Sequence, residues 1–157
     1  MVVMRFLFSK ICKISLVFGF LLIQTNHVVA ASPIQPSRWY YNYNKIGAGK
    51  HFLSFDTPVC FVGHSHKPII LEQNPMGEIK DYVSDLWAID PKNRYIFNDG
   101  SLGQPRDGNP KPTYIFYDSD ERTVEFKRFD YDLSKTQKNI IENGLPAYLA
   151  DRLSLGK

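Results

Sequence analysis

The sequence predicts an α/β domain, and three stretches carry that expectation. Val59 to Val62 is an apolar run of strand length, with Gly63 behind it. Thr123-Val124-Glu125-Phe126-Lys127-Arg128-Phe129 alternates apolar and charged residues, the period of a strand with one wet face. Near the C-terminus, Asp132 or Ser134 can cap a helix running to about Asn143. Gly144 stops that helix, and Pro146 opens a second short one in which Leu149 and Leu153 face inward.

The totals fit one domain. A chain of 157 residues with 43% apolar and 22% charged residues is globular in composition, not disordered. The net charge is +3, with Lys and Arg scattered among Asp and Glu, so no nucleic-acid stripe is present. Tyr and Phe sit mostly in alternating runs, which strand packing explains better than base stacking. Cys12 and Cys60 make neither a disulfide framework nor a zinc-type pair. Cys60, inside the apolar run, reads as a small buried hydrophobe.

In chain order, residues 1–30 form an apolar N-terminal segment distinct from residues 31–157. Arg5, Lys10 and Lys13 precede the apolar run Ile14 to Ile23, and Val28-Val29-Ala30 precedes Ala31-Ser32. That is the layout of a secretory signal peptide. The run is shorter than the ~20 apolar residues a membrane span needs. Pro36-Ser37 then opens a helix in which Trp39, Tyr40, Tyr43 and Ile46 recur at helical spacing, as core or groove lining, until Gly47 and Gly49 end it. Phe52 to Pro58 reads as a connector. Lys67 to Leu71 is a strand. Glu72 to Asp81, around Asn74-Pro75-Met76-Gly77, is a hairpin tip. Trp87 to Asp90 is a short strand closed by Pro91-Lys92-Asn93, and Tyr95 to Asn98 is another. Thr113 to Tyr117, the polar turn Asp118 to Glu121, and Thr123 to Phe129 make an antiparallel hairpin. Glu125, Lys127 and Arg128 read as its solvated face.

Two places carry residues suited to chemistry. The first is Gly63-His64-Ser65-His66-Lys67-Pro68. On extended backbone, His64 and His66 point to one side with Cα atoms roughly 6.5 Å apart. Such a pair can hold one metal, or one each of two metals ~3.5–4 Å apart. It can equally be two solvent-facing histidines, since two His alone do not make a metal site. The second is the long loop from Asn98 to Pro112; structureless loops of that length are usually functional or disordered. Gly100, Ser101 and Gly103 let the main chain approach a ligand closely. Arg106 can offer forked donors to phosphate oxygens, or it can pair with Asp107 or cap a carbonyl.

The wording of both stretches resembles one family. Gly63-His64-Ser65-His66-Lys67-Pro68 is similar to the Gly-His-Thr-His-x-Pro motif of the calcineurin-like metallophosphoesterases. Asn98-Asp99-Gly100-Ser101-Leu102-Gly103-Gln104-Pro105-Arg106-Asp107-Gly108 resembles the Asn-Pro-Gly-Ser-Val-Gly-Gln-Pro-Arg-Asp-Gly segment that follows it in the small bacterial and archaeal phosphodiesterases of that superfamily. The resemblance covers about Ala31 to Lys157, the C-terminal half of an intact member. It implies a partial sandwich of two mixed β-sheets flanked by helices, and metal-dependent hydrolysis of phosphate mono- or diesters. It implies a pair of divalent metals of the Mn, Fe, Zn, Ni or Mg type. His64 and His66 become ligands to different metals of the pair. Gly100, Ser101 and Arg106 become groups on the phosphate side.

The sequence also departs from the family. Asp99 replaces a proline. Val28 to Pro33 lines up with an upstream strand whose metal-ligating His is Ala30 here. The Asp-x-His, Gly-Asp-x-x-Asp and Gly-Asn-His motifs that supply most ligands are absent. A pair without carboxylate bridges should hold metal weakly or not at all. The resemblance therefore implies a truncated or degenerate copy, inactive on its own, with no catalytic residue assigned. An exported non-catalytic binding module and a half-enzyme completed by a separate N-terminal partner are the alternatives. The family is cytoplasmic in the usual case. Secretion follows if residues 1–30 are a true signal, and a corrupted or misread upstream region competes with that reading. A lone half should leave one sheet face bare and self-associate.

Overall fold

The computed structural model describes residues 13–15 and 45–157. Apart from Lys13–Ser15, the signal-like segment lies outside the described residues, as do the Ala30 position and the Trp39, Tyr40 and Tyr43 stripe.

Two four-stranded sheets pack face to face. The first runs in the order β1 (Lys13–Ser15), β7 (Thr113–Asp118), β8 (Thr123–Arg128), β5 (Leu86–Ala88), and all its pairings are antiparallel. The second runs β2 (Val59–Val62), β6 (Arg94–Asp99), β3 (Pro68–Gln73), β4 (Ile79–Tyr82). It is mixed, because β2 lies parallel to β6 while β3 runs against both β6 and β4. This is the expected α/β sandwich, except that only the second sheet is mixed among the described pairings.

Alternation explains why the second sheet sits in the middle. Val59, Phe61, Ile70, Tyr95 and Phe97 point one way and meet Ile115, Val124 and Phe126 of the first sheet. Cys60, Val62, Leu71 and Ile96 point the other way and meet Ala48 and Phe52 of helix α1 (Lys45–Phe52). A strand covered on both faces reads as an unbroken apolar run, and β2 is buried at all four positions. Each large apolar side chain removed from water there contributes roughly 1.5–3 kcal/mol. Both faces of this sheet are covered, and of the exposed large apolar side chains among the described residues only Leu86 lies in a strand.

Helix α1 corrects one expectation. Gly47 and Gly49 do not end it; the helix continues through both to Phe52. Ala48 and Phe52, 0% and 1% exposed, are held against the sheet, and that burial outweighs the ~1 kcal/mol each glycine costs. Phe52 thus belongs to the helix and not to the connector. Arg94 secures its end by donating to the carbonyls of Phe52 and Phe55, with its guanidinium 4.5 Å from the Phe55 ring centroid. Helix α2 (Leu133–Glu142) takes Asp132 as its N-cap, whose carboxylate accepts from Lys135 N at 2.9 Å. It ends at Gly144, with φ +70°. Helix α3 (Tyr148–Ser154) follows Pro146 and buries Ala150 and Leu153.

Candidate functional site

Strands β2 and β6 run parallel, so their C-terminal ends emerge together, and both motifs begin there. Asn98, buried in β6, joins the two exits. Its Nδ2 donates to Gly63 O at 3.1 Å, and its Oδ1 accepts from Gly100 N at 3.1 Å. The chain then turns through Gly100 at φ +79°. A Cβ there would lie 2.8 Å from Pro68 Cγ and 3.2 Å from Thr113 Cβ, so the position admits glycine alone without displacement. Gly100 works as packing at the root of the loop. Ser101 Oγ accepts from Gly103 N at 3.3 Å and Gln104 N at 2.9 Å, holding the loop's first turn.

The two histidines do not lie on extended backbone. His64 has φ +75° and His66 φ +60°, both left-handed, with buried Ser65 between them. The strand-type spacing expected for the pair is therefore replaced by a tight turn. Left-handed backbone costs a side-chain-bearing residue about 1–2 kcal/mol. Strain of this kind persists where the surroundings over-determine it, and it concentrates at functional sites.

The glycine-rich loop folds back over this turn. Arg106 N donates to His66 O at 3.0 Å. The Nδ1 of His66 lies 2.7 Å from Gln104 O. A carbonyl only accepts, so Nδ1 carries the proton, and the neutral ring keeps its lone pair on Nε2. Arg106 Nη2 donates to Gln104 Oε1 at 3.2 Å, while its buried Nε meets no acceptor. Asp107 pairs with Arg128, not with Arg106. Burial lowers the pKa of His64, and the Arg106 guanidinium lowers it further. Burial also lowers that of His66, assisted by Arg106, His64 and Arg152 against the opposing bond to Gln104. Both imidazoles are thereby biased to the neutral, lone-pair-bearing form.

His66 and Arg106 thus meet through Gln104, the Arg106 charge reaches His64, and Gly100 and Ser101 shape the loop root. Several participants were not singled out in the sequence. Gln104 links His66 to Arg106, and Asn98 ties the two strand ends. Arg128, expected on a solvated face, instead holds Asp107 and donates to Lys111 O at 3.0 Å. Only Gln104 and Asn98 had a signal, as members of the second motif.

No family model matches the chain. The uncharacterized protein MJ0912 of Methanocaldococcus jannaschii is 37% identical over 99 residues, covering 63% of this chain and 40% of that protein. The crystal structure of a metallophosphoesterase from Sphaerobacter thermophilus superposes with a TM-score of 0.76 at 38% identity, over 83% of this chain and 54% of that one. That match supports the calcineurin-like metallophosphoesterase superfamily for this chain. The hypothetical protein PH1004 of Pyrococcus horikoshii shares the fold at 18% identity and a TM-score of 0.57, over 83% of this chain and 46% of that one. The chain spans about half the length of these two solved structures and less of MJ0912.

A metallophosphoesterase implies a divalent metal, and the donors present can be tested against one. Among the described residues no three of His, Cys, Asp and Glu stand close enough to hold an ion. Residues 1–44 contain no Asp or Glu, so every side-chain carboxylate of the chain lies among the described residues. Two neutral imidazoles beside a guanidinium do not fit a dication pair, which needs anionic ligands to offset its charge. Asp99, the proline replacement, adds no such ligand. Burial pushes its carboxyl up to about 7, against a bond to its own backbone.

Proposed function

We propose that this chain supplies two histidine ligands and the phosphate-facing loop of a metal-dependent phosphoesterase site, and that it does not hydrolyse phosphate esters on its own. The observation behind this reading is the linkage of His66 to Gln104 O at 2.7 Å and of Gln104 Oε1 to Arg106. That linkage sets a metal-type donor on the β2–β3 turn beside a phosphate-type donor on the loop that folds over it. The family-level chemistry draws a phosphoryl group between metals and cationic donors, and an Arg fork is suited to its oxygens. The carboxylates that complete such a site must come from outside this chain. A truncated or degenerate copy accounts for that most simply. A separately encoded N-terminal half would also supply them, and an exported module would have no use for them.

The test is hydrolysis of bis-p-nitrophenyl phosphate with Mn²⁺ added. The expected result is no turnover above the Mn²⁺ blank. Turnover that His64→Ala abolishes would refute the inactivity. Co-purification with a separate chain that restores turnover would select the half-enzyme reading.

A further inference from the structure

The part of the glycine-rich loop that carries Arg106 is gripped from two sides. On the inner side is the histidine turn, where His66 O accepts from Arg106 N at 3.0 Å and His66 Nδ1 lies 2.7 Å from Gln104 O. On the outer side is the segment that follows α3. Gly108 N donates to Gly156 O at 3.0 Å, and Gln104 Nε2 donates to Lys157 O at 3.3 Å. The outer contacts thus fall on both sides of Arg106.

Both outer contacts are closely fitted. Gly156 is buried at φ +61°, and a Cβ there would lie 2.6 Å from Asn109 N and 2.7 Å from Asn109 C. Backbone packs on backbone at that point, and only glycine fits. Lys157 O, a terminal carboxylate oxygen of this chain, is paired with Arg152 Nε at 2.8 Å, so the acceptor offered to Gln104 is held in place. Helix α3 anchors the segment through buried Ala150 and Leu153. The Gln104 amide then has one orientation. Its nitrogen faces Lys157 O and its Oε1 faces Arg106 Nη2, because a flipped amide would set donor on donor and acceptor on acceptor.

We propose that Gly156 and Arg152 are positioning residues, and that the segment after α3 is a brace that holds the loop onto the histidine turn and so fixes the His66 tautomer and the place of Arg106. This rests on the reading of the loop as phosphate-facing and goes further by naming residues outside both motifs. Both act through the loop and not on a ligand.

The experiment reads the His66 tautomer by imidazole nitrogen NMR in the full chain, without metal or ester, at pH 8, where the ring is neutral. The wild-type ring should carry its proton on Nδ1. Gly156→Ala drives a methyl into Asn109, and the ratio of Nδ1–H to Nε2–H forms should fall about fivefold or more. Arg152→Met leaves the Gly108 bond in place and should lower the ratio about twofold. Arg152→Lys, which keeps a cation beside Lys157 O, should restore it. Gly144→Ala strains the end of α2 at φ +70° and meets nothing, so it should leave the ratio unchanged. Should Gly156→Ala fail to fold, the two Arg152 variants decide alone. A ratio untouched by Gly156→Ala and Arg152→Met overturns the brace and leaves the phosphate-facing loop standing. A ratio lowered equally by Gly144→Ala overturns it too, since the effect would then be general loss of stability. A wild-type ring protonated on Nε2 would remove the His66–Gln104 linkage, and the reading of the site would fall with the brace.

Discussion

Two turns leave the same sheet, and they are built in opposite ways. The β3–β4 turn, Asn74 to Glu78, satisfies itself locally. Asn74 Oδ1 accepts from Met76 N at 3.0 Å and Glu78 N at 2.9 Å, and the one left-handed residue is Gly77, φ +84°, with open space around it. The turn between β2 and β3 spends its left-handed positions on His64 and His66, where glycine would cost less. It is held from a distance, by Gln104, Arg106 and Asn98, residues 35 to 40 positions away in sequence. A turn that only reverses the chain uses the residues that reverse it most easily. A turn that presents side chains keeps those side chains and relies on neighbours to hold the strain.

The largest test of that contrast compares two glycines that share a positive φ. Gly100→Ala would drive a methyl into Pro68 Cγ and Thr113 Cβ, and it should destabilise by about 3 kcal/mol or more in urea unfolding. Gly77→Ala meets nothing and should cost only ~1 kcal/mol. Equal losses would remove the distinction between a packed site loop and a free turn.

Asp99 is next in size. Its folded pKa of about 7 lies above the ~3.9 of an unfolded aspartate, so the folded state holds the proton more tightly. Stability is then undiminished below about pH 4, falls as pH rises between about 4 and 7, and stays reduced above that. Asp99→Asn should stabilise by on the order of 2 kcal/mol at pH 8 and by little at pH 4. A stabilisation independent of pH would mean that the carboxyl is not held protonated.

The smallest effect falls on the histidine turn itself. His64→Gly should relieve left-handed strain and stabilise by about 1 kcal/mol, while removing a metal-type donor. His66→Gly should gain under ~1 kcal/mol, because the 2.7 Å bond to Gln104 O goes with the ring. Loss of stability in His64→Gly would show that the turn is not strained.

Much of this was legible in the sequence because strand period and apolar runs report burial directly. The β7–β8 hairpin, the β3–β4 tip and the Asp132 cap stand where residue type alone placed them. The two motifs stand side by side because β2 and β6 run parallel and end together. What stayed hidden depends on distant partners. Gly47 and Gly49 read as stops because propensity is local, whereas the burial of Ala48 and Phe52 is tertiary. Arg128 read as solvated because alternation assigns a face and says nothing of a loop reaching across to it. The left-handed histidines were invisible for the same reason, since nothing within the turn itself calls for that conformation.

The most direct measurement is a calorimetric titration of the full chain with Mn²⁺ and with Zn²⁺. With His64 and His66 the only matched ligands and no carboxylate grouped with them, stoichiometric tight binding of two metals should be absent. Two ions per chain bound at submicromolar Kd, lost together in His64→Ala, would contradict the claim that this polypeptide carries only one side of the site.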